Sequence, residues 1–301
     1  MNIVIAGGTG FVGKHLTTHF TEKGDHVYIL TRHPENHEDD KNVTYVGWLK
    51  EDYQPWKHLE KVDAIINLAG ASLAGGRWTE ERKQLIRQSR LDATNGVLEL
   101  IENLEETPEV LVNGSAVGFY GTSPHKSFTE DTERPGNDFL ASVVKDWENT
   151  ARQAKLKGVR TAFMRFGLIL GDGGVLPLMK RPYQFFVGGR LGDGEQWMSW
   201  VHIDDVVGMI DFAIQNETVE DAVNVTAPTP KRNDDFSRTL ADVLHRPHWC
   251  HVPGFIIRTI LGEMSTLVLD GQAVYPKKAE NEGYTFHYPD LHGALTSLLN
   301  K

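Results

Sequence analysis

Gly7-Gly8-Thr9-Gly10-Phe11-Val12-Gly13 is the stretch on which the reading of this chain turns. Before it runs Asn2-Ile3-Val4-Ile5-Ala6, a short apolar segment stopped by glycine, as expected of a strand buried on both faces of a parallel sheet. After it, residues 11–23 carry Phe11, Leu16 and Phe20 near one helical face, and Gly24 stands where a helix would end. Between a strand and a helix, each of the three spaced glycines has a job. Gly7 permits a tight turn, Gly10 lets the backbone approach a pyrophosphate, and Gly13 lets the helix pack closely on the strand. The helix start adds free N–H groups and the positive end of a dipole. Gly7, Thr9, Gly10, Phe11, Val12 and Gly13 are therefore predicted to hold a dinucleotide's pyrophosphate.

The strand–helix beat continues outward from this loop. Strands are expected at 27–31, 43–46, 63–69, 110–113 and 161–166. Helices are expected at 79–104, capped by Thr79, and from Asp138 or Phe139 to about 155, closed by Gly158. Such alternation predicts an α/β chain: a Rossmann-like, doubly wound parallel sheet with right-handed crossovers and a small C-terminal α/β subdomain on the substrate side. The expected division is an NADP-binding domain at 1–170, with a returning strand near 222–225, a loop-rich substrate-side region at 171–245 and the C-terminal subdomain at 246–301. The glycines of 171–174 and 188–194 are expected to form flexible loops where a substrate sits.

The second strand ends in Leu30-Thr31-Arg32-His33, with no acid before Glu35. A carboxylate at that place accepts hydrogen bonds from a free ribose 2′-hydroxyl, whereas an arginine pairs with a 2′-phosphate and stacks on adenine. Thr31 and Arg32 thus favour NADP(H) over NAD.

Composition narrows the partners. The 301 residues carry 31 Lys and Arg against 41 Asp and Glu, a net charge of −10, which excludes nucleic-acid binding by bulk charge and disfavours anionic lipid. No segment approaches the ~18 uninterrupted apolar residues of a membrane span. Cys250 stands alone, so no internal disulfide forms, which fits a cytoplasmic location. His248, Cys250 and His251 lack a fourth ligand, and no metal is expected. A small molecule is the expected partner.

Several further stretches carry a resemblance. The glycine loop, Asn67-Leu68-Ala69-Gly70 and Ser115-Ala116-Val117-Gly118-Phe119-Tyr120-Gly121 together resemble the extended short-chain dehydrogenase/reductase superfamily. Residues 89–94 (Ser-Arg-Leu-Asp-Ala-Thr), 165–171 (Arg-Phe-Gly-Leu-Ile-Leu-Gly), 196–205 (Gln-Trp-Met-Ser-Trp-Val-His-Ile-Asp-Asp) and Leu269-Asp270-Gly271-Gln272 are similar to a subgroup of it, across nearly the whole chain. That subgroup is NAD-dependent epimerase/dehydratase-like. Its bacterial members are called epimerase family protein, cell-division inhibitor or nucleoside-diphosphate-sugar epimerase, and carry their own C-terminal domain. The resemblance implies that Leu68, Ala69 and Gly70 lie under adenine and ribose. It also places Ser115 on the strand-five loop and makes Arg90, Arg165 and Ile169 cofactor-side positions.

Active members of the superfamily use Tyr-x-x-x-Lys, in which lysine lowers the tyrosine's pKa for proton exchange with a substrate alcohol. Here the matching helix has Phe139 and Val143 at those places. Lys145 does not substitute, because six residues rotate ~240° around a helix whereas four rotate ~40°. Ser115 and Tyr120, on the loop at the sheet's carboxyl edge, are the replacement candidates. Two readings stay open: an NADP-dependent oxidoreductase or epimerase with an atypical site, acting on a sugar nucleotide or small carbonyl or alcohol, and a non-catalytic NADPH-binding sensor or interaction protein. Asp204 or Asp205 is expected to cap the next helix. Trp197 and Trp200 suit either a stacking surface or core anchors. Residues 255–269 suit either a buried helix or a dimer face, so monomer and homodimer both stay open.

Overall fold

A computed structural model describes residues 1–300. Seven strands form one sheet: β1 (Asn2–Ala6), β2 (His26–Thr31), β3 (Val43–Gly47), β4 (Ala64–Asn67), β5 (Val110–Ala116), β6 (Arg160–Phe166) and β7 (Asp221–Val225). Their order is β7-β6-β5-β4-β1-β2-β3, and every pairing is parallel. The chain winds outward in both directions from β1, which pairs with β2 on one side and β4 on the other. A crevice therefore opens beyond the carboxyl ends of β1 and β4, where α/β sheets take their ligands.

Strand alternation sorts the core into two layers. Ile3 and Ile5 pack on one face with Leu16 and Phe20 of α1 (Phe11–Glu22) and with Ile210 of the helix Ile203–Gln215. Val4 and Ala6 pack on the other with Val97 and Leu100 of α2 (Glu80–Asn103). A third cluster, around the fully buried Trp200, Phe236 and Leu295, joins the helices Asn233–Val243 and Leu291–Leu299. Sheets buried on both faces read as unbroken apolar runs, which is why β1 and β4 were legible.

The elements depart from expectation at their ends. The strand expected at 63–69 runs only from Ala64 to Asn67: the Leu68 N–H makes the last bond of the ladder, to the Ala6 carbonyl (2.8 Å), and the chain then turns away. The helix expected to run to 155 is α3 (Phe139–Ala151), capped by Asp138 and continued by a 3₁₀ turn to Lys157 before Gly158 at φ +81. Neither Asp204 nor Asp205 caps the helix Ile203–Gln215. His202 does so, its Nδ1 accepting from the Asp204 N–H at 3.0 Å. The buried Asp205 carboxylate instead accepts from the Tyr284 hydroxyl (3.1 Å) and the N–H groups of His287 (2.8 Å) and Tyr288 (2.9 Å), tying the C-terminal segment to the sheet's helical layer. Residues 255–269 form the helix Gly254–Leu261, a 3₁₀ turn and the short helix Thr266–Leu269. Ile257 is buried there, but Phe255 is 68% and Ile260 63% exposed, so this is no buried core helix. Among the described residues no helix is long and apolar enough to cross a membrane.

Candidate functional site

The loop between β1 and α1 owes its shape to close backbone contact. Gly7 has φ +86, and a Cβ on it would stand 2.9 Å from the Leu68 carbonyl carbon. A Cβ on Gly13 would stand 2.3 Å from the Gly7 oxygen and 2.5 Å from the Gly8 Cα. Side chains satisfy the first turns of α2 and α3, where Thr79 accepts from the Arg82 N–H and Asp138 from the Ala141 N–H. At α1 the cap is Gly10, with no side-chain bond and no acid in the first turn. Its leading N–H groups are left for an anion in the crevice. Thr9 and Gly10 are exposed, whereas Phe11 is half-buried. A Cβ on Gly171 or Gly173 would stand 2.4 Å or 2.6 Å from the Phe11 ring. The glycines of 171–174 are thus not a free substrate loop: they let the backbone wrap an aromatic ring at the start of α1.

At the end of β2, the Thr31 hydroxyl accepts from the His33 N–H (3.2 Å), and Arg32 is exposed with no ion pair among the described residues. A cavity of about 380 Å³ opens beyond β3, lined by Trp48, Leu49, Tyr53, Trp56 and Gly96. It shares no residue with the glycine loop and adjoins the β2–β3 side of the crevice, since the Trp48 N–H bonds to the Thr31 carbonyl (3.0 Å).

Leu68, Ala69 and Gly70 follow β4 at the crevice wall. Asn67 holds this turn from below, its Oδ1 accepting from the Ala69 N–H (3.3 Å) and its Nδ2 donating to Asn113 (2.7 Å) and Thr94 (3.1 Å). Arg90 and Ser89 then clamp both backbone groups of Ala71. Ser89 Oγ accepts from its N–H (2.9 Å), and Arg90 Nη1 donates to its carbonyl (3.2 Å) and to that of Ile86 (2.8 Å). A Cβ on Gly70 would lie 3.0 Å from Arg90 Cγ. Burial, then the neighbouring Arg82 charge, brings the Arg90 pKa down to about 10. Arg90 has no carboxylate partner among the described residues, so it braces the loop as a cation whose charge is not locally balanced.

The end of β5 departs most from expectation. Ser115 Oγ donates to Glu148 Oε1 (2.6 Å). Glu148 in turn receives two bonds from Arg165 (2.8 Å each), and Arg165 Nη1 donates to the Tyr120 hydroxyl (3.0 Å). That hydroxyl donates to Asn224 Oδ1 (2.7 Å), and the Arg165 guanidinium lies 3.5 Å over the Phe119 ring. All five polar residues are buried, and burial pushes the Tyr120 phenol above its ordinary pKa. Ser115, Tyr120 and Arg165 belong to one buried network tying β5, β6, β7 and α3. Ile169 sits half-buried between the core and the strand Trp200–His202.

The register of α3 is also one residue off. Because the helix begins at Phe139 after the Asp138 cap, Phe139 and Val143 turn toward Trp78 and Ile86. Leu140 and Val144 are the pair one turn apart that faces Gly118 and Phe119. They too are apolar, so the substitution of the acid–base pair stands in either register.

The C-terminal region closes over this edge. Gln272 Nε2 donates to the Val117 carbonyl (2.8 Å), the Ser123 N–H bonds to the Gly271 carbonyl (2.9 Å), and a Cβ on Gly271 would stand 2.0 Å from the Trp197 oxygen. Trp197 is an anchor, with Nε1 on the Pro124 carbonyl (3.2 Å) and Arg232 stacked 3.9 Å above it, and Trp200 is fully buried. Trp200 therefore offers no stacking surface, and one face of Trp197 is taken by Arg232. His251 bonds to the Gly192 carbonyl (2.7 Å) and His248 faces Asp234, so the two rings do not converge with Cys250. Glu148 and Asn224 went unread in the sequence, where a helical Glu and a strand Asn give no sign of a partner across the sheet.

Fold and crevice define a dinucleotide-type α/β protein, and comparison with known proteins places it. The profile of the NAD dependent epimerase/dehydratase family matches residues 3–226, and a domain of unknown function, DUF1731, matches 252–298. The chain belongs to this epimerase family. The epimerase family protein YfhF of Bacillus subtilis is 48% identical over 299 residues, covering 99% of this chain and 98% of that one. The human epimerase family protein SDR39U1 (isoform 2), crystallised with NADPH, superposes with a TM-score of 0.87 at 27% identity over 100% of both chains. A nucleoside-diphosphate sugar epimerase from Corynebacterium glutamicum gives 0.79 at 30% identity, covering 99% of this chain and 58% of that one.

Proposed function

We propose that this chain binds NADP(H) across the carboxyl edge of its sheet and serves as an oxidoreductase for a small molecule, without the acid–base pair of its superfamily. The observation that carries the reading is the start of α1, uncapped by any side chain and pressed against β1 through Gly7 and Gly13. The pyrophosphate would take the N–H groups of residues 10–13. The adenosine 2′-phosphate would meet Thr31 and the unpaired Arg32, and the loop of Leu68–Gly70, braced by Arg90, would carry the ribose. SDR39U1, alike over its whole length, was crystallised with NADPH, which agrees with the arginine at the β2 end.

Epimerisation of a sugar nucleotide through a keto intermediate needs a group that removes and returns a hydroxyl proton. Leu140 and Val144 cannot do so, and Tyr120 is held inside the network. That occupancy of Ser115 and Tyr120 also favours a second reading, cofactor binding without turnover. Calorimetric titration with NADPH and NADH tests the cofactor reading. Wild type should prefer NADPH, and Arg32→Ala should bring the two dissociation constants together; an unchanged ratio refutes the role of Arg32. Stoichiometric NADPH binding with no oxidation by any acceptor selects the second reading.

A further inference from the structure

We infer that this chain docks peripherally on an anionic phospholipid surface through two segments, residues 173–192 and 243–262, that lie outside the glycine-loop crevice. The inference stands apart from the cofactor reading. A net charge of −10 disfavours an acidic surface for the molecule as a whole, but the charge is unevenly placed. The two segments carry Lys180, Arg181, Arg190, Arg246 and Arg258 and none of the 41 Asp and Glu. Lys180 is half-buried and the four arginines are exposed. Asp234, beside Arg190 at Gly194, is already held by Arg238 (2.9 Å).

The fold joins the two segments. The short strands Gly189–Leu191 and Cys250–Val252 pair in parallel, Trp249 Nε1 donates to the Phe186 carbonyl (2.9 Å), and the Arg246 guanidinium lies 4.8 Å over the Phe186 ring. At this junction Phe185 is 76% and Trp249 68% exposed, with Phe186 and Val187 also in solvent. Phe186 has φ +62, a conformation that aromatic residues rarely adopt. In the helix Leu176–Gln184 and its cap, Leu178, Arg181, Pro182 and Phe185 recur at helical spacing and all are exposed, while Leu176 and Tyr183 face inward. The helix Gly254–Leu261 follows the second strand at once. Only Ile257 is buried there, which leaves Phe255, Ile256 and Ile260 exposed beside Arg258. Among the described residues, every exposed Phe and Trp belongs to these two segments.

Charge decides the occupant. A helix facing water turns polar residues outward, whereas outward apolar and aromatic residues mixed with arginine suit a headgroup layer. In a two-fold dimer built on this face, the arginines of each copy would meet no carboxylate on the other. An anionic bilayer supplies phosphates for the arginines and an acyl boundary for the Phe and Trp rings. The acid-rich remainder of the chain then points away from the lipid.

Sedimentation of the full chain with vesicles tests this. Vesicles of phosphatidylcholine containing about one third phosphatidylglycerol should carry the protein down at low salt, and vesicles of phosphatidylcholine alone should not. Binding should be lost near 1 M KCl, where the Debye length is about 3 Å. Arg181→Ala and Arg258→Ala should each lower the partition coefficient about fivefold, and Phe185→Ser about tenfold, with melting as in wild type. Brominated acyl chains should quench wild-type fluorescence more than that of Trp249→Phe. Failure to sediment with the anionic vesicles overturns the proposal, as does equal binding to both vesicle types. A dimer in sedimentation velocity that Phe185→Ser dissociates gives the face to a second copy and overturns it too.

Discussion

Replacing Gly13 by alanine should separate the role of the glycine loop from general stability. The added methyl would stand 2.3 Å from the Gly7 oxygen and 2.5 Å from the Gly8 Cα, where carbon contacts are comfortable at about 3.5–4.0 Å. Both obstacles are backbone, so no side chain can swing aside, and the loop must lift from α1 by roughly 1 Å. Overpacking of this kind costs about 1–3 kcal/mol of stability. The same lift takes at least one N–H out of hydrogen-bond range of the pyrophosphate. A bond to a charged group is worth about 1.5–3 kcal/mol, so NADPH affinity should fall about 10–100-fold. Calorimetric titration with NADPH, paired with thermal unfolding of the cofactor-free protein, measures both. Gly24→Ala is the control: Gly24 has φ +86 but nothing within 4 Å of a Cβ. It should lose about 1–2 kcal/mol to left-handed strain and bind NADPH as wild type does. A Gly13→Ala protein with wild-type melting and wild-type affinity would refute the close-approach argument.

Other expected outcomes follow from the buried polar groups. Glu148→Gln leaves Arg165 buried without its counter-charge and should cost about 3–5 kcal/mol in denaturant unfolding, whereas Tyr120→Phe, which removes only a hydroxyl, should cost about 1–3 kcal/mol. Asp205→Asn keeps one acceptor oxygen but turns its NH2 donor toward the N–H of either His287 or Tyr288. Amide hydrogen exchange should quicken across residues 284–299 while β1–β5 keep their protection. Asp211 is partly buried, which raises its pKa, but its bonds to Lys23 and His19 outweigh that and hold it below the usual 3.8. A depressed carboxylate contributes stability above its unfolded pKa and loses it as pH falls through the folded one. Asp211→Asn should therefore be about 1 kcal/mol less stable than wild type at pH 7, the gap closing in chemical unfolding curves as pH falls below the ordinary aspartate range.

The fold and the geometry of one half of the candidate site were legible in the sequence. Strand–glycine–helix order is local information: Ile3 to Ile5 read as a doubly buried strand, and the spacing of Gly7, Gly10 and Gly13 reports backbone approach that only hydrogen at Cα allows. The other half was not legible, because it depends on side chains far apart in sequence. Tyr120 stood on the right loop, but whether its hydroxyl meets a substrate or Asn224, 104 residues away, is a matter of how β5 and β7 flank β6. Phe139 and Val143 were one residue from the pair that packs on Gly118 and Phe119, since the Asp138 cap fixes the helix's rotation and no spacing rule reveals it.

The sequence by itself determined the parallel α/β architecture, the glycine loop between β1 and α1 and the loss of a tyrosine–lysine pair, all of which rest on residue type and short-range periodicity. Tertiary structure alone decided that Ser115, Glu148, Arg165, Tyr120 and Asn224 form a closed internal network. It also decided that Gly171 and Gly173 serve the Phe11 ring, that Gln272 latches the C-terminal region onto the loop after β5, and that Asp205 ties it to the helical layer. Burial of charge is the physical reason: a carboxylate or guanidinium inside the protein is held by partners chosen by folding, not by neighbours in the chain.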